Sequence, residues 1–386
     1  MAALSAVAGF ALTDSTRVAD IAAVRSRFGE RAAVLVETTL LRRRATEKLG
    51  PLGEISNWLF TDEALQQATA APVAQHRASR LAASVPGAVV HDVTCSIGTE
   101  LAALGGCGMP MLGSDIDPVR LAMARHNLGA DADLCRADAL HPVTHDTVVV
   151  VDPARRQDGR RRFHPRDYLP GLDQLLEVYR GRDLVVKCSP GMDFVQLGSL
   201  GFEGEIELIS YRGSVREACL WSASLAGPGV RRRASMLDRC QGIIQITDAE
   251  PADCPVRPAG RWIVDPDGAV VRAGLVRHYA ARHGLWQLDP DIAYLSGDQL
   301  PPSVRGFEVI ECLALDERRL RRSLAALNCG SVEILVRGVR VDPDALRRRL
   351  RSGLRPHRGD PLSVVITRIG SGSAGTATAF VCRPSR

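Results

Sequence analysis

The segment "VVVVDPARR" places an acid, a proline and two arginines directly after an apolar run. Four consecutive valines are typical of a strand that is buried on both faces. A carboxylate at Asp152 can accept an N–H. Pro153 fixes the turn and removes a donor, so that carbonyl oxygens face the ligand. Such a pair can orient a weak nitrogen nucleophile, and Arg155 and Arg156 can bind phosphate.

Three further acids end apolar runs upstream. Asp92 precedes a loop of small residues in "VVHDVTCSIGTE", where the backbone can approach a ligand closely. Asp115 closes "MLGSD" about 20 residues later, where a doubly wound fold places a ribose-binding acid. Asp117 is either a second polar ligand or the cap of a helix that begins at Pro118. Asp138 follows the weaker run "ADLC".

The elements that must position these acids are short strands alternating with helices. Apolar runs lie at 88–93, 109–115, 147–152, 183–188, 205–210 and 217–223, and helix-length segments separate several of them. This alternation predicts a parallel α/β sheet covered on both faces, with an antiparallel hairpin at one edge. Because the carboxyl ends of parallel strands form one crevice, the acids are expected to line it together.

Four of these motifs resemble those of class I S-adenosylmethionine-dependent methyltransferases: "DVTCSIGTE", "SDIDPVRLAMARHNL", "RADAL" and "DPARR". The resemblance implies a Rossmann-like seven-stranded sheet and S-adenosylmethionine as cofactor. It also implies that Asp115 binds the ribose and that Asp138 meets the adenine. The other cofactor-binding residues that it implies are Asp92, Cys95, Ser96, Gly98, Ile116 and Ala139. Ser96 and Thr99 depart from the family pattern, which has glycines there.

A wider resemblance covers nearly the whole chain. The segments "LGEISNWLFTDEALQQATAAPVAQHRASRL", "DPARR", "VVKCSPGMD" and "VDPDGAVVRAGLV" are similar to a bacterial methyltransferase family with a helical N-terminal part and a C-terminal THUMP-like, or ferredoxin-like, domain. The predicted division is an N-terminal helical region (1–85), a methyltransferase domain (86–228), a connecting α+β region (229–307) and a THUMP-like α/β domain (308–386).

Several local predictions accompany this division. The apolar N-terminus is expected to lead into a first helix. The segment "RWIVDPDGAVVRAG" is expected to form a hairpin whose turn is Asp-Pro-Asp-Gly. The last 80 residues are expected to follow the order β-α-β-α-β-β.

The resemblance also suggests an acceptor. Related nucleic-acid methyltransferases carry Asp-Pro-Pro-Arg or Asn-Pro-Pro-Tyr where this chain has "DPAR", so Asp152 and the Pro153 carbonyl are expected to hold a base nitrogen. Lys187, one of two lysines in the chain, is expected to neutralise Asp152 or to contact phosphate.

The charge distribution suggests binding to a phosphate backbone; the alternative is an arginine-rich solvated face that reflects GC-rich codon usage. From Arg318 to Arg358 there are twelve arginines and three acids, a net charge of +9, whereas the whole chain has +5. Two predicted helices carry eight of these arginines: Arg318, Arg319, Arg321, Arg322, Arg347, Arg348, Arg349 and Arg351. A basic face with few aromatic residues favours backbone and shape recognition of structured RNA, such as tRNA or rRNA.

Other functions stay open from the sequence. Cys188, in "CSP", resembles the nucleophile of 5-methyluridine methyltransferases, although a buried apolar role is the commoner one for a strand cysteine. The acceptor can also be a small molecule or a protein, or the chain can be an RNA-binding protein that retains the fold without turnover.

The composition indicates the compartment in which the protein is expected to work. No apolar run reaches the roughly 20 residues that a bilayer requires, so no membrane association is expected. Ten cysteines without a CxxC pair predict reduced thiols in the cytoplasm and no metal site. Nothing in the sequence indicates the oligomeric state.

Overall fold

The computed structural model describes residues 2–129, 132–154, 156–157, 160–161, 164–238, 242–302, 304–351, 354–355, 359–370 and 375–385. They form two compact units. The first comprises Met1–Tyr211, Arg216–Gly229 and Leu237–Gly242, and the second comprises Arg212–Val215, Val230–Met236 and Ile243–Arg386. No described helix is long and apolar enough to cross a membrane.

The first unit begins with five helices: α1 (Ala2–Ala8), α2 (Arg17–Phe28), α3 (Ala32–Leu49), α4 (Asp62–Gln67) and α5 (Ala71–Ser84). Thr61 caps α4, because its side chain accepts a hydrogen bond from the Ala64 N–H at 3.0 Å. Pro72 lies in the first turn of α5, where its missing N–H costs nothing. The apolar N-terminus is itself helical, since Val7 of α1 is buried in a cluster with Val24 and Leu35.

A mostly parallel sheet follows. Its strands are β1 (Val90–Asp92), β2 (Met111–Asp115), β3 (Asp133–Arg136), β4 (Val148–Val151), β7 (Leu184–Cys188), β8 (Glu205–Tyr211) and β9 (Ser214–Trp221), and two short strands, β5 (Arg156–Gln157) and β6 (Arg160–Arg161), form a separate ribbon. These seven strands lie side by side, in the order β8-β9-β7-β4-β1-β2-β3, within a nine-stranded sheet. β3, β2, β1, β4 and β7 are parallel, and β9 is antiparallel to β7. The predicted Rossmann-like sheet is confirmed. Strands β8 and β9 are neighbours, but they are not at the edge as predicted, because the sheet continues beyond β8.

Four helices connect these strands: α6 (Thr99–Gly106), α7 (Pro118–Leu128), α8 (Leu172–Val178) and α9 (Gln196–Ser199). The core of the unit joins the N-terminal helices to the sheet. Ala74 and Leu81 of α5 pack in one buried cluster with Val90, Leu104 and Trp221. Residues 1–85 are therefore part of the same compact unit as the sheet that they precede.

The second unit contains β10 (Arg232–Asp238), β11 (Gly242–Thr247), β12 (Trp262–Val264), α10 (Gly268–Ala273), α11 (Val276–His283), β13 (Trp286–Gln287), β14 (Leu295–Gly297), β15 (Gly306–Ala314), α12 (Glu317–Ala326), β16 (Cys329–Arg337), α13 (Pro343–Leu350), β17 (Asp360–Ile369) and β18 (Thr376–Pro384). Seven of these strands form one sheet in the order β13-β14-β12-β15-β18-β17-β16. The predicted β-α-β-α-β-β order of its last part is confirmed.

One sequence prediction fails in this unit. The segment after Val264 is a helix and not the second strand of a hairpin, because Asp267 caps α10 by accepting the Ala269 N–H at 2.8 Å. Residues 307 and 308 lie inside β15, which pairs with β12. The predicted division at 307/308 stays a prediction.

Candidate active site

The loop between β1 and α6 is fixed by backbone hydrogen bonds to the neighbouring strand. The Ser96 N–H donates to Oδ2 of Asp115 at 2.8 Å, and the Cys95 N–H donates to the Ser114 carbonyl at 2.9 Å. Gly98 has φ +89°, and a Cβ there would lie 2.7 Å from Cδ1 of Leu128. The loop therefore needs a glycine at 98 but accepts a serine at 96, which itself has φ +49°.

The two acids after β2 have different roles. Asp115 is buried, and its Oδ1 accepts the Asp117 N–H at 2.8 Å. Asp117 caps α7, since its Oδ1 accepts from the N–H groups of Val119 and Arg120 at 2.8 and 3.2 Å. Of the two alternatives for Asp117, the structure has the helix cap. Between these acids the Ile116 side chain is 61% exposed beside the loop.

Asp138 and Ala139 follow β3. The half-exposed Asp138 side chain accepts the Leu140 N–H at 2.9 Å through Oδ1, and its Oδ2 lies 3.4 Å from Nδ1 of His141. The Ala139 carbonyl accepts a hydrogen bond at 2.6 Å from the hydroxyl of the buried Tyr179. The Ala139 carbonyl is thus held by Tyr179, the residue that follows α8.

Asp92 is buried at the end of β1. Burial, with the nearby charge of Glu100, raises the pKa of its carboxyl to about 7, although the Thr94 N–H and the Lys187 ammonium act in the opposite direction. Thr94 also links this strand end to the neighbouring one, because its Oγ1 accepts the Asp152 N–H at 2.7 Å. Asp92 and Asp152 are thereby tied through a single residue.

Asp152 is paired with a buried ammonium. Nζ of Lys187 lies 2.8 Å from Oδ2 of Asp152 and 3.3 Å from Oε1 of Glu100. Burial opposes the charge of Lys187, but the two carboxylates outweigh it and raise the pKa of the ammonium above its ordinary value. The predicted neutralisation of Asp152 by Lys187 agrees with this geometry.

The segment that follows Asp152 is anchored on both sides. Ala154 forms two backbone hydrogen bonds with Leu169, at 2.8 and 3.0 Å. The hydroxyl of the neighbouring Tyr168 accepts the Ser189 N–H at 3.0 Å. Arg155 lies outside the described residues. Arg156 begins β5, and its side chain also lies outside them.

The cysteines near this edge are buried. Cys188 is fully buried at the end of β7, which does not fit an attacking thiolate. Cys95 is buried too, and burial raises the pKa of its thiol well above the ordinary value. No group of histidines, cysteines and acids that can hold a metal ion is found among the described residues.

Together these contacts place most of the predicted residues at one sheet edge. Asp92, Asp115, Asp152 and Lys187 lie at or just beyond the carboxyl ends of four neighbouring parallel strands, and Asp138 follows the fifth. Two further observations support the fit of a cofactor with a ribose and an adenine at this edge of the sheet. Oγ1 of the buried Thr99 has no hydrogen-bond partner among the described residues, and the apolar Ile116 is exposed beside an acid.

Sequence reasoning missed Glu100 and Arg77. Glu100 stands in the first turn of α6, where an acid ordinarily complements the helix dipole. In the structure it is buried between Arg77 and Lys187, whose charges outweigh the effect of burial and lower the pKa of Glu100 to about 2. An acid within an otherwise apolar helix, "TELAAL", was the available signal.

Residues 304–384 match the family described as THUMP domain-like. Two proteins of Mycobacterium tuberculosis, from strains CDC 1551 / Oshkosh and H37Rv, are each 72% identical to this chain over 369 residues. The matches cover 94% of this chain and 100% of each relative. Both relatives are described as uncharacterized S-adenosylmethionine-dependent methyltransferases.

A solved structure shares the fold over nearly the whole chain. It is the crystal structure of a Porphyromonas gingivalis W83 protein that has been assigned as a methyltransferase. The two are 19% identical in sequence and superpose with a TM-score of 0.72, covering 92% of this chain and 91% of the other.

Proposed function

From its place in the family of S-adenosylmethionine-dependent methyltransferases, to which this chain belongs, we propose that it methylates a base nitrogen in structured RNA, such as tRNA or rRNA, in the cytoplasm. S-adenosylmethionine is the methyl donor of this family. The acceptor is the new part of the proposal. Two features support it: the surroundings of Asp152 and the arginines on α12 and α13.

The cofactor is proposed to lie along the carboxyl edge of β1, β2 and β3. Asp115 accepts hydrogen bonds from the ribose hydroxyls, and Ile116 covers the adenine. Asp138 and Ala139 meet the adenine amino group, and the backbone at Cys95, Ser96 and Gly98 lies along the methionine part, near Asp92. When bound, the cofactor supplies an electrophilic methyl group on a positively charged sulfur.

Asp152 and Pro153 are proposed to hold the acceptor nitrogen. A base nitrogen is a poor nucleophile while its lone pair is delocalised, so orientation and a nearby negative charge are what the protein can contribute. The Asp152 side chain is 23% exposed, while its partner Lys187 is 4% exposed. The carboxylate therefore has one oxygen on a buried cation and can present the other to an N–H. Arg155 and Arg156 remain proposed phosphate contacts.

The observation that favours RNA is a basic helical pair, formed by α12 and α13. Arg318, Arg319 and Arg322 of α12 are exposed, and so are Arg348 and Arg349 of α13. The helices are joined by Arg349, which pairs with Glu317 at 2.8 Å. None of Arg318, Arg319 and Arg322 pairs with an acid among the described residues. A cluster of exposed guanidinium groups is suited to a phosphate backbone.

A comparison of modified nucleosides tests the proposal. Total RNA from cells with and without the gene is digested and analysed by mass spectrometry, and the RNA of the deletion strain is then incubated with purified protein and labelled S-adenosylmethionine. We expect one methylated nucleoside to be absent from the deletion strain and to be restored in vitro. Label in proteins or small molecules and none in RNA would refute the RNA acceptor while leaving the methyltransferase assignment intact.

A further inference from the structure

The strongest unexplained feature is a chain of four buried or half-buried charges that runs from the N-terminal helices to the proposed acceptor site. It starts at Arg77 on α5. Its Nε and Nη2 donate to the two carboxylate oxygens of Glu100, each at 2.9 Å, and its Nη1 also contacts Glu217 on β9. Arg77 is 1% exposed. A bidentate pair of this kind fixes the plane of the carboxylate.

Glu100 then passes this constraint to Lys187. Nζ of Lys187 lies between Oε1 of Glu100 at 3.3 Å and Oδ2 of Asp152 at 2.8 Å. A lysine has a flexible four-carbon stem and a compact charge that can point in several directions. A carboxylate on each side leaves it one favourable direction. The chain Arg77–Glu100–Lys187–Asp152 becomes accessible only at its last member.

We propose that Glu100 and Arg77 are positioning residues for methyl transfer: they hold the Lys187 ammonium against Asp152 and thereby fix the orientation and charge of that carboxylate. The inference rests on the proposed function of Asp152. The proposal also gives a role to residues 1–85, because Arg77 lies on α5, the last helix of this region. Neither residue touches the acceptor, so both act through Lys187.

Helix α5 also carries a second cluster of buried charges. If the chain Arg77–Glu100–Lys187–Asp152 only stabilised the fold, the two clusters would have the same role. Arg80, one turn after Arg77, pairs with Glu205 at 2.7 Å and with Glu207 at 2.9 Å, and both carboxylates are fully buried. Its guanidinium also stacks on Trp221 at 3.9 Å. Neither Glu205 nor Glu207 belongs to the chain of contacts that ends at Asp152. Glu205 therefore provides a matched control for Glu100.

The experiment compares Glu100→Gln with Glu205→Gln, since each substitution removes one buried charge and keeps the shape. The full chain is labelled in lysine with ¹³C and ¹⁵N. Because the sequence contains only Lys48 and Lys187, two ammonium signals are expected, and Lys48 serves as the reference. We expect Glu100→Gln to broaden the Lys187 signal and to make its charge titrate at lower pH. Glu205→Gln should leave the signal in place.

Methyl transfer to RNA of the deletion strain is measured on the same variants, with binding of S-adenosylhomocysteine by calorimetry and with thermal unfolding. Glu100→Gln is expected to lower kcat about tenfold or more, with cofactor affinity within about twofold. Arg77→Lys, which keeps the charge but loses the bidentate fork, should lower kcat in the same way. Glu205→Gln can lower the unfolding temperature as much, but should keep kcat within about twofold.

The outcomes separate the two proposals. An unmoved Lys187 signal, or equal losses of kcat in Glu100→Gln and Glu205→Gln, would overturn the positioning role. A moved signal with wild-type kcat would overturn it as well. If Asp152→Ala retains full activity, or if no RNA accepts methyl, the proposed function fails. The lysine signals then still decide whether Glu100 holds Lys187 against Asp152.

Discussion

Two buried carboxyl groups of the first unit respond to their surroundings in opposite ways. Burial and the charge of Glu100 raise the pKa of Asp92 to about 7. Glu100 is equally buried, but the charges of Arg77 and Lys187 lower its pKa to about 2. The difference arises because Glu100 has two cations in direct contact, whereas Asp92 has a backbone N–H. Each group therefore makes the stability of the protein depend on pH with a different sign.

Asp92→Asn should become more stable than the wild type as the pH rises. A carboxyl whose pKa is higher in the folded state than in the unfolded one, about 3.9, favours folding below that pH, and this contribution is lost as the pH passes 7. At about 1.36 kcal/mol for each pKa unit, the difference in unfolding free energy should grow by a few kcal/mol between pH 4 and pH 8. Urea unfolding of both proteins across this range measures it.

Glu100→Gln supplies the contrast. The low pKa of Glu100 stabilises the fold above about pH 4.5, and this contribution is lost as the pH falls toward 2, so the variant should approach the wild type only in acid. His91, whose pKa burial lowers to about 4, affects wild type and variants alike and cancels in the comparison. A pH-independent difference for Asp92→Asn would contradict the buried, proton-binding carboxyl.

Asp152→Ala should lower methyl transfer to RNA by about 10²-fold or more, since a preorganised polar contact to the reacting nitrogen is lost. Asp152→Asn should be milder, because an acceptor oxygen remains. Affinity for S-adenosylhomocysteine, measured by calorimetry, should barely change in either. Cys188→Ser is the control, and it should be nearly silent because Cys188 is buried. An active Asp152→Ala protein beside an inactive Cys188→Ser protein would select a covalent mechanism instead.

At the level of elements, the entry to α6 depends on one glycine. Gly98→Ala should destabilise the protein by about 1–3 kcal/mol, because the residue has φ +89° and the new methyl group meets Leu128 of α7. Gly106→Ala, at the other end of the same helix, finds open space and should be neutral or stabilise by up to about 1 kcal/mol. Urea unfolding midpoints test both. Equal midpoints would show that the loop relaxes around the added methyl.

Most elements of the first unit could be predicted because their local patterns are strong. The valines of β4 and the alternation of strands with helices led to the right sheet. The hairpin predicted around "DPDG" was wrong because the same residue types occur in hairpin turns and at helix starts. After it, "AVVRA" is too short to show a period. The choice depends on Asp267 capping α10, which the sequence does not reveal.

Some residues of the candidate site could be predicted from the sequence, and others could not. Acids that end strands could be found because the parallel sheet converts their order along the chain into one edge. Glu100 and Arg77 could not be found in this way, because they are buried through contacts between distant segments. Arg77 is 23 residues from Glu100 and 140 residues from Glu217. Long-range ion pairs leave no periodic signal. An isolated acid in an apolar helix is the only local indication.

For the whole molecule, charge is divided unevenly along the chain. Residues 318–358 carry +9, while the chain totals +5, so the remainder is net negative. The basic helical pair is therefore a local feature and not the consequence of a uniformly basic surface. If it contacts an RNA backbone, affinity must depend on salt through counterion release, with a slope set by the number of arginines that touch phosphate.

Replacing Arg318, Arg319 and Arg322 together by Gln should weaken RNA binding, because fewer counterions are released when the RNA binds. We expect affinity for RNA of the deletion strain to fall at least about tenfold at low salt, and the slope of log K against log salt to decrease by roughly one for each contacting arginine. Affinity for S-adenosylhomocysteine should not change. The matched control replaces the exposed Arg25, Arg27 and Arg31 of the N-terminal helices, the same loss of three charges. Because total charge alone predicts equal effects, a selective loss in the first triple variant identifies the basic helical pair as the RNA-binding surface, whereas equal slopes in both would assign the binding to net charge.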